Sequence, residues 1–328
     1  MKRQNAVRVL CVSLFLVTSC ACVCGAQSGT AESQVLSKRI LSNRDLPLVL
    51  EQAQEILKQG LNAGSGYAEV WIRDLNTFIE LALDTSDPQR IRQALLVFFH
   101  FQGADGNIID GYVPAKKAGG GYKYISSTTM PQFQGHKNTV ETDQESSLVQ
   151  AVYKYTNKTG DRSLLDETVQ GKTVRARLGL ALDFLLQHRY SETYGLIWGA
   201  TTSDWGGVQP EHSWGVELDE NSHLAIDVYD NAMFIIAINN YIELLGPDSA
   251  STLSWQQRVT QLRSKVREHL WDPARHKFRT HIYLKDSPFP RDFDEARIYY
   301  HGGTAIAVEA DLLSREEVGL VLGDMVNN

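Results

Sequence analysis

Residues 224–245 are apolar almost all the way round the helix they would form. A helix with no polar face to offer water must be buried on most sides, so the rest of the fold has to surround this one. Gly246-Pro247 supplies its stop. A chain of 328 residues, 43% hydrophobic and 22% charged, is long enough to provide that surround. A Gly/Trp-rich loop runs directly into this helix. It carries five carboxylates (Asp204, Glu211, Glu217, Asp219 and Glu220), with Trp205 and Trp214 among them.

The periodicity of the remaining chain is helical. Apolar spacing predicts helices over 46–58, 72–83, 89–101, 143–155, 173–187, 254–270, 304–312 and 315–326, with Pro88 suited to the start of the third. A long break, 103–139, holds Pro114, Gly119-Gly120-Gly121, Pro131 and several tyrosines, and a loop of that length is functional or disordered. Strand signals are sparse, with 279–284 as the one candidate. The expected architecture is all-α. No fixed-length repeat is visible, which disfavours a regular solenoid.

The first residues read as an export signal. Lys2, Arg3 and Arg8 form a basic start, residues 9–17 an apolar stretch, and small residues follow. Two processing readings stand side by side. One is a signal peptide of residues 1–26, cut after Ala26. The other is a lipoprotein signal, because Val17-Thr18-Ser19-Cys20 resembles a lipobox and would leave Cys20 lipidated as a membrane tether. The expected location is secreted or periplasmic. Residues 27–43 are expected to be a linker and 44–328 the folded domain. All four cysteines (Cys11, Cys20, Cys22 and Cys24) lie in the leader, so the folded part has no disulfide, zinc-thiolate site or cysteine nucleophile. The leader carries three cations and no acid, so the remainder has a net charge of -10 against -7 for the whole chain. That excludes a nucleic-acid partner and fits a neutral carbohydrate; no cofactor or metal is expected.

Three stretches can carry chemistry. In Tyr67–Asn76, Trp71, Arg73 and Asp74 open a helix. A guanidinium beside a carboxylate can grip vicinal hydroxyls, and a surface ion pair beside a core Trp fits equally. In Thr139–Ser146, Glu141 and Asp143 open another helix, where complementing the helix dipole explains them adequately. In the loop before the buried helix, Asp204 sits beside Trp205 and Gly206-Gly207. Glycoside cleavage needs a carboxylic acid with a raised pKa, and apolar surroundings provide the shift. Asp204 is the candidate catalytic acid, with Trp205 as a wall of the pocket. Asp227 and Asp230, one turn apart at the head of the buried helix, share a face and stand as the fallback; helix capping explains them as well. His212 and His223 are too few for a metal site.

Taken in order, these pieces resemble the six-hairpin glycosidases, nearest to glucoamylase and the glucosidase domain of glycogen-debranching enzymes. Trp71-Ile72-Arg73-Asp74 is similar to their W-x-R-D segment. The run from Val140-Glu141-Thr142-Asp143 to Thr159-Gly160-Asp161 is similar to an inner helix whose acid lines the sugar pocket, at the position of Asp143. Trp271-Asp272-Pro273 with Phe278 resembles a family turn, and His301-Gly302-Gly303 a late inner-helix entry. The resemblance implies an (α/α)6 toroid and an exported glycoside hydrolase. That enzyme would release a terminal sugar from an oligo- or polysaccharide with inversion. Asp204 would be the acid, and Trp71, Arg73, Asp74, Asp143, Trp205, Asp227 and Asp230 would serve binding. It also implies a toroid incomplete at its C-terminus, with about nine of twelve helices, and a second carboxylate beyond residue 328. Ser203-Asp204-Trp205-Gly206-Gly207 departs from the family's acid motif. Rival readings are another toroid enzyme (a sugar epimerase, phosphorylase or lyase) and a non-catalytic carbohydrate-binding surface protein. Nothing in the sequence gives an oligomeric state.

Overall fold

The computed structural model describes residues 31–62, 66–119, 123–200, 206, 215–247 and 251–327. The chain divides into two units, Met1–Glu51 and Gln52–Asn328. The first holds α1 (Ala31–Leu41), in a stretch expected to be linker, and the opening of α2 (Asp45–Gln59). The second holds the rest of α2 and then α3 (Ile72–Thr85), α4 (Pro88–Phe101), α5 (Gln144–Thr159), α6 (Val174–His188), α7 (Val228–Leu245), α8 (Thr252–His269), α9 (His301–Glu309) and α10 (Arg315–Asn327). Local chemistry sets several of these ends. Pro88 lies in the first turn of α4, where Asp87 accepts from the Gln89 N–H at 2.9 Å. Thr173 caps α6 through the Ala176 N–H, and α7 stops at Gly246.

The helices pack in two sets. α3 packs on α5, α5 on α7 and α7 on α9. The even-numbered helices cover this row: α4 and α6 pack on α5, α6 and α8 on α7, and α10 on α9. α7 is central, as its all-round apolar pattern requires, and Phe234, Ile235 and Ile238 are fully buried. Ile72, Leu75 and Ile79 of α3 and Leu148, Val152 and Tyr155 of α5 complete that part of the core.

The expectation of an all-α chain needs correction. The described residues are mainly helical but also contain thirteen strands of two to four residues. The stretch 103–139, read as one long break, contains three strands of an antiparallel sheet. β2 (Gly111–Pro114), β3 (Tyr124–Ser126) and β4 (Phe133–His136) join β1 (Val70–Trp71) in the order β1-β2-β4-β3. The first residues of the long apolar run are also a strand, Leu224–Ile226, set between Gly199–Ala200 and Ile282–Tyr283. The switch to helix comes at Asp227, whose extended backbone (φ -133°, ψ 170°) and side-chain bond to the Asp230 N–H make it the N-cap of α7. These short strands sit at helix entrances. β1 runs straight into α3, and the Leu224–Ile226 strand ends one residue before α7.

Candidate active site

The residues brought together by these entrances form one buried, charged cluster. Asp143 is at its centre. It stands at the N-cap position of α5 but makes no side-chain cap bond. Instead Oδ1 accepts from Arg73 of α3 at 2.8 Å, and Oδ2 accepts from the Tyr229 hydroxyl of α7 at 2.7 Å. One carboxylate therefore ties the first turns of α3, α5 and α7, with both oxygens occupied and no exposed surface. Helix-dipole complementarity accounts for Asp143 from sequence, and the structure adds these two partners.

Arg73 bridges further. Its guanidinium also pairs with Glu141 at 3.0 Å. Burial works against the Arg73 charge, but Asp143, Glu141 and Tyr229 outweigh it and push its pKa up. A paired, hydrogen-bonded charge is what burial tolerates. Asp110 joins from the strand side. Its backbone carbonyl accepts from Ile72 N at 2.8 Å and its N–H donates to the His136 carbonyl at 2.8 Å, locking β2 to the start of α3 and to β4. Burial first, then the neighbouring Glu141 charge, pushes the Asp110 carboxyl well above the usual range. Burial also raises Glu141, with Arg73 opposing.

A second layer fixes the loop ahead of α5. Glu145 Oε1 accepts from the Ile108 N–H at 2.9 Å and from Lys137 at 3.2 Å, and Lys137 also bonds the Ile108 carbonyl at 2.7 Å and Gln144. Asn138 donates to Glu141 at 3.1 Å.

Asp227 and Asp230 complete the cluster from α7. Both are buried, at 0% and 3% exposure. Burial, then the charge of Asp230, pushes Asp227 well above the ordinary range. Burial, then Asp143, raises Asp230 to about 8, with Arg73 and Arg189 opposing. Asp230 Oδ2 presses on Gly199, where a Cβ would come within 2.4 Å of it and 3.2 Å of Thr142 Oγ1. Only glycine leaves room for the carboxyl there. Asn231 anchors the turn below, accepting from Ile197 N at 3.0 Å and donating to the carbonyls of Ile197 and Asp227 at 2.9 and 2.8 Å.

Trp71 and Asp74 are half-buried at the start of α3. The Trp71 ring lies over Gly111, where a Cβ would meet it at 2.5 Å, and meets Tyr67 and His136 edge-on at 6.4 and 5.9 Å. Burial raises the Asp74 pKa, with Arg73 opposing.

Of the residues picked from sequence, Arg73, Asp143, Asp227 and Asp230 thus meet in one cluster, with Trp71 and Asp74 beside it in sequence. Asp204, Trp205, Glu211 and Trp214 lie outside the described residues, as do residues 1–30, which include Cys20. The other loop acids have local partners or solvent: Glu217 pairs with Lys123, Asp219 closes its own turn through the Asn221 N–H, and Glu220 is exposed. Tyr229 and Asp110 were missed. The one sequence signal for Asp110 is an acid set directly after an apolar pair, Ile108-Ile109. Among the described residues no group of three or more His, Cys, Asp or Glu is arranged to hold a metal ion.

No family model and no curated protein matches the chain. Among solved structures it is similar to a rhamnosidase from Klebsiella oxytoca with rhamnose bound. That match has a TM-score of 0.55 and 15% identity, over 85% of this chain and 47% of the other. It is also similar to a GH78 family rhamnosidase of Bacillus sp. GL1, with a TM-score of 0.57 and 14% identity, over 84% of this chain and 26% of the other. The chain spans about half or less of the length of these structures. At such identity the likeness is one of fold, shared with glycosidases.

Proposed function

We propose that this chain is, or is part of, an exported glycoside hydrolase that releases a terminal sugar by acid-assisted, inverting hydrolysis on an (α/α)6 toroid. The observation that carries the reading is Asp230. It is a carboxylic acid raised to about 8 by burial and by Asp143, set where the first turns of α3, α5 and α7 converge. A carboxyl with that pKa still holds its proton at neutral pH, which is the state a donor to a glycosidic oxygen requires. The row of odd-numbered helices covered by even-numbered ones is the packing that a toroid of helical hairpins needs, and the glycosidase likeness in fold supports the same reading.

In this scheme Asp230 protonates the leaving oxygen. Arg73, Glu141 and Asp143 hold the helix ends rigid and keep the local field fixed. Trp71 and Asp74 form the sugar-facing edge. Motif order assigns the acid role to Asp204 instead, and one assay separates the two. Asp230→Asn and Asp204→Asn are each measured on p-nitrophenyl α-L-rhamnoside and α-D-glucoside at pH 6. The variant that removes the acid loses about 10²–10⁴-fold in kcat with the fold retained. Wild-type turnover in both variants sinks both assignments, and no hydrolysis of any glycoside by the wild-type protein sinks the function. Proton NMR of the first anomer released checks inversion.

A further inference from the structure

Val70 pairs with Tyr112 across β1 and β2, and Pro114 with Phe133 across β2 and β4, so these four side chains share one face of the sheet. The next pair, Trp71 with Gly111, takes the other face. Against the Tyr112 face lies one stripe of α4, made by Arg90, Gln93, Ala94 and Val97 at helical spacing. With the end of α2 this stripe and the sheet enclose a cavity of about 460 Å³, within the range of small-molecule sites.

The lining is apolar at its base. Leu61, Ala94 and Val97 are buried, and Val70, Met130 and Phe133 are half-buried. The Tyr112 ring is held edge-on by Phe98 and Phe133, at 5.1 Å from each. Its hydroxyl breaks the apolar pattern. Tyr112 is 5% exposed, and its oxygen has no hydrogen-bond partner among the described residues. That oxygen is not one of the sealed, unpaired atoms of the interior, so it keeps surface towards the cavity that its ring lines. Arg90 is the one charged residue among the fifteen described residues of the lining. Its side chain is exposed and makes no ion pair with any described residue. The two groups are within electrostatic reach: burial pushes the Tyr112 pKa up, and the Arg90 charge opposes it.

These donors select the ligand. A protonated phenol can donate one hydrogen bond, and a guanidinium only donates. A carboxylate accepts from both, and its charge matches the one cation. An ammonium would find no acid in the lining. A sugar would set hydroxyls against the apolar base without partners. An aromatic body packs well on Phe133 and on the Met130 thioether. We propose that this cavity binds a small aromatic monocarboxylate, with the carboxylate between Arg90 and the Tyr112 hydroxyl and the ring against Val97, Met130 and Phe133. The site does not depend on hydrolysis and would stand if neither Asp230 nor Asp204 proved catalytic.

The test is a ligand-observed NMR titration of the full chain with cinnamate, 3-phenylpropionate and cinnamamide, each to about 10 mM. At least one acid should bind with a Kd below about 1 mM, and the amide should bind about tenfold or more weakly than cinnamate. Arg90→Gln alters an exposed side chain and should weaken binding of the acid about tenfold or more. Arg90→Lys keeps the charge and should recover part of that loss, which a merely disturbed fold would not do. Tyr112→Phe should weaken the acid about three- to tenfold. If Tyr112→Phe does not fold, the Arg90 variants and the ratio of acid to amide still decide. The proposal is overturned if neither acid binds, or if Arg90→Gln leaves acid binding unchanged. Equal binding of acid and amide also overturns it, leaving a plain apolar cleft. So does displacement of cinnamate by sodium sulfate at concentrations below the cinnamate Kd, which would leave an unspecific anion contact at Arg90.

Discussion

Asp143 and Glu295 are built alike and used differently. Each carboxylate is gripped by a tyrosine hydroxyl and a nitrogen: Asp143 by Tyr229 and Arg73, Glu295 by Tyr283 and His281. In Asp143 the two partners take one oxygen each, and the residue has no exposed surface. In Glu295 both partners share Oε1, and the side chain is 20% exposed on the wall of a cavity. The difference lies in how much of each carboxylate is tied down. Asp143, with both oxygens filled, acts as a tie between helices. Glu295, held through one oxygen and partly exposed, orders the His281 and Tyr283 side chains ahead of α9.

The largest effect expected from breaking this contrast is at Arg73. Arg73→Met leaves Asp143 and Glu141 buried without their cation, and should cost about 3–5 kcal/mol in urea unfolding. A cost under about 1 kcal/mol would mean that the cluster is not a structural tie.

The two tyrosines give the direct comparison. Tyr229→Phe strips a donor from a fully buried carboxylate and should cost about 1.5–3 kcal/mol. Tyr283→Phe leaves Glu295 with His281 and some solvent, and should cost about 1 kcal/mol or less. Equal losses would erase the distinction drawn between the two sites.

The last comparison is a slope with pH. Asp230 is raised from 3.8 to about 8, so the folded state holds more protons than the unfolded state between those values. Stability contributed by that proton is complete below about pH 4, falls as pH rises towards about 8, and is flat above, with a limit of about 1.4 kcal/mol per pH unit for one proton. Asp230→Asn should flatten the decline in melting temperature across that window. An unchanged slope would move the bound proton to another carboxyl, with Asp227 the first to test, because it is raised by the same burial and by Asp230 itself.

Much of this was legible in the chain. Helix ends fall within a few residues of where periodicity puts them, as at 89–101 against Pro88–Phe101 and 315–326 against Arg315–Asn327. Arg73, Asp143, Asp227 and Asp230 could be named from their place at the heads of apolar helices, although dipole complementarity and capping explain the acids there as well. The two- and three-residue strands were not legible, and some also pair with remote partners: Val70 with Tyr112, and Ile226 with Ile282. Strands that short carry no alternation to read. Glu141 read as a helix-dipole acid, and only its pairing with Arg73 gives it a different role.

The sequence by itself determined where the chain is helical and that α7 must be enclosed, because both follow from the local spacing of apolar side chains. It also confined every cysteine to the first 24 residues. Tertiary structure alone decided which charges face each other. The pKa of Asp230 follows from burial and from Asp143, 87 positions earlier in the chain, and Glu295 meets His281 and Tyr283 across 14 and 12 positions. Desolvation and Coulomb interactions act through space, and no reading of neighbours along the chain contains them.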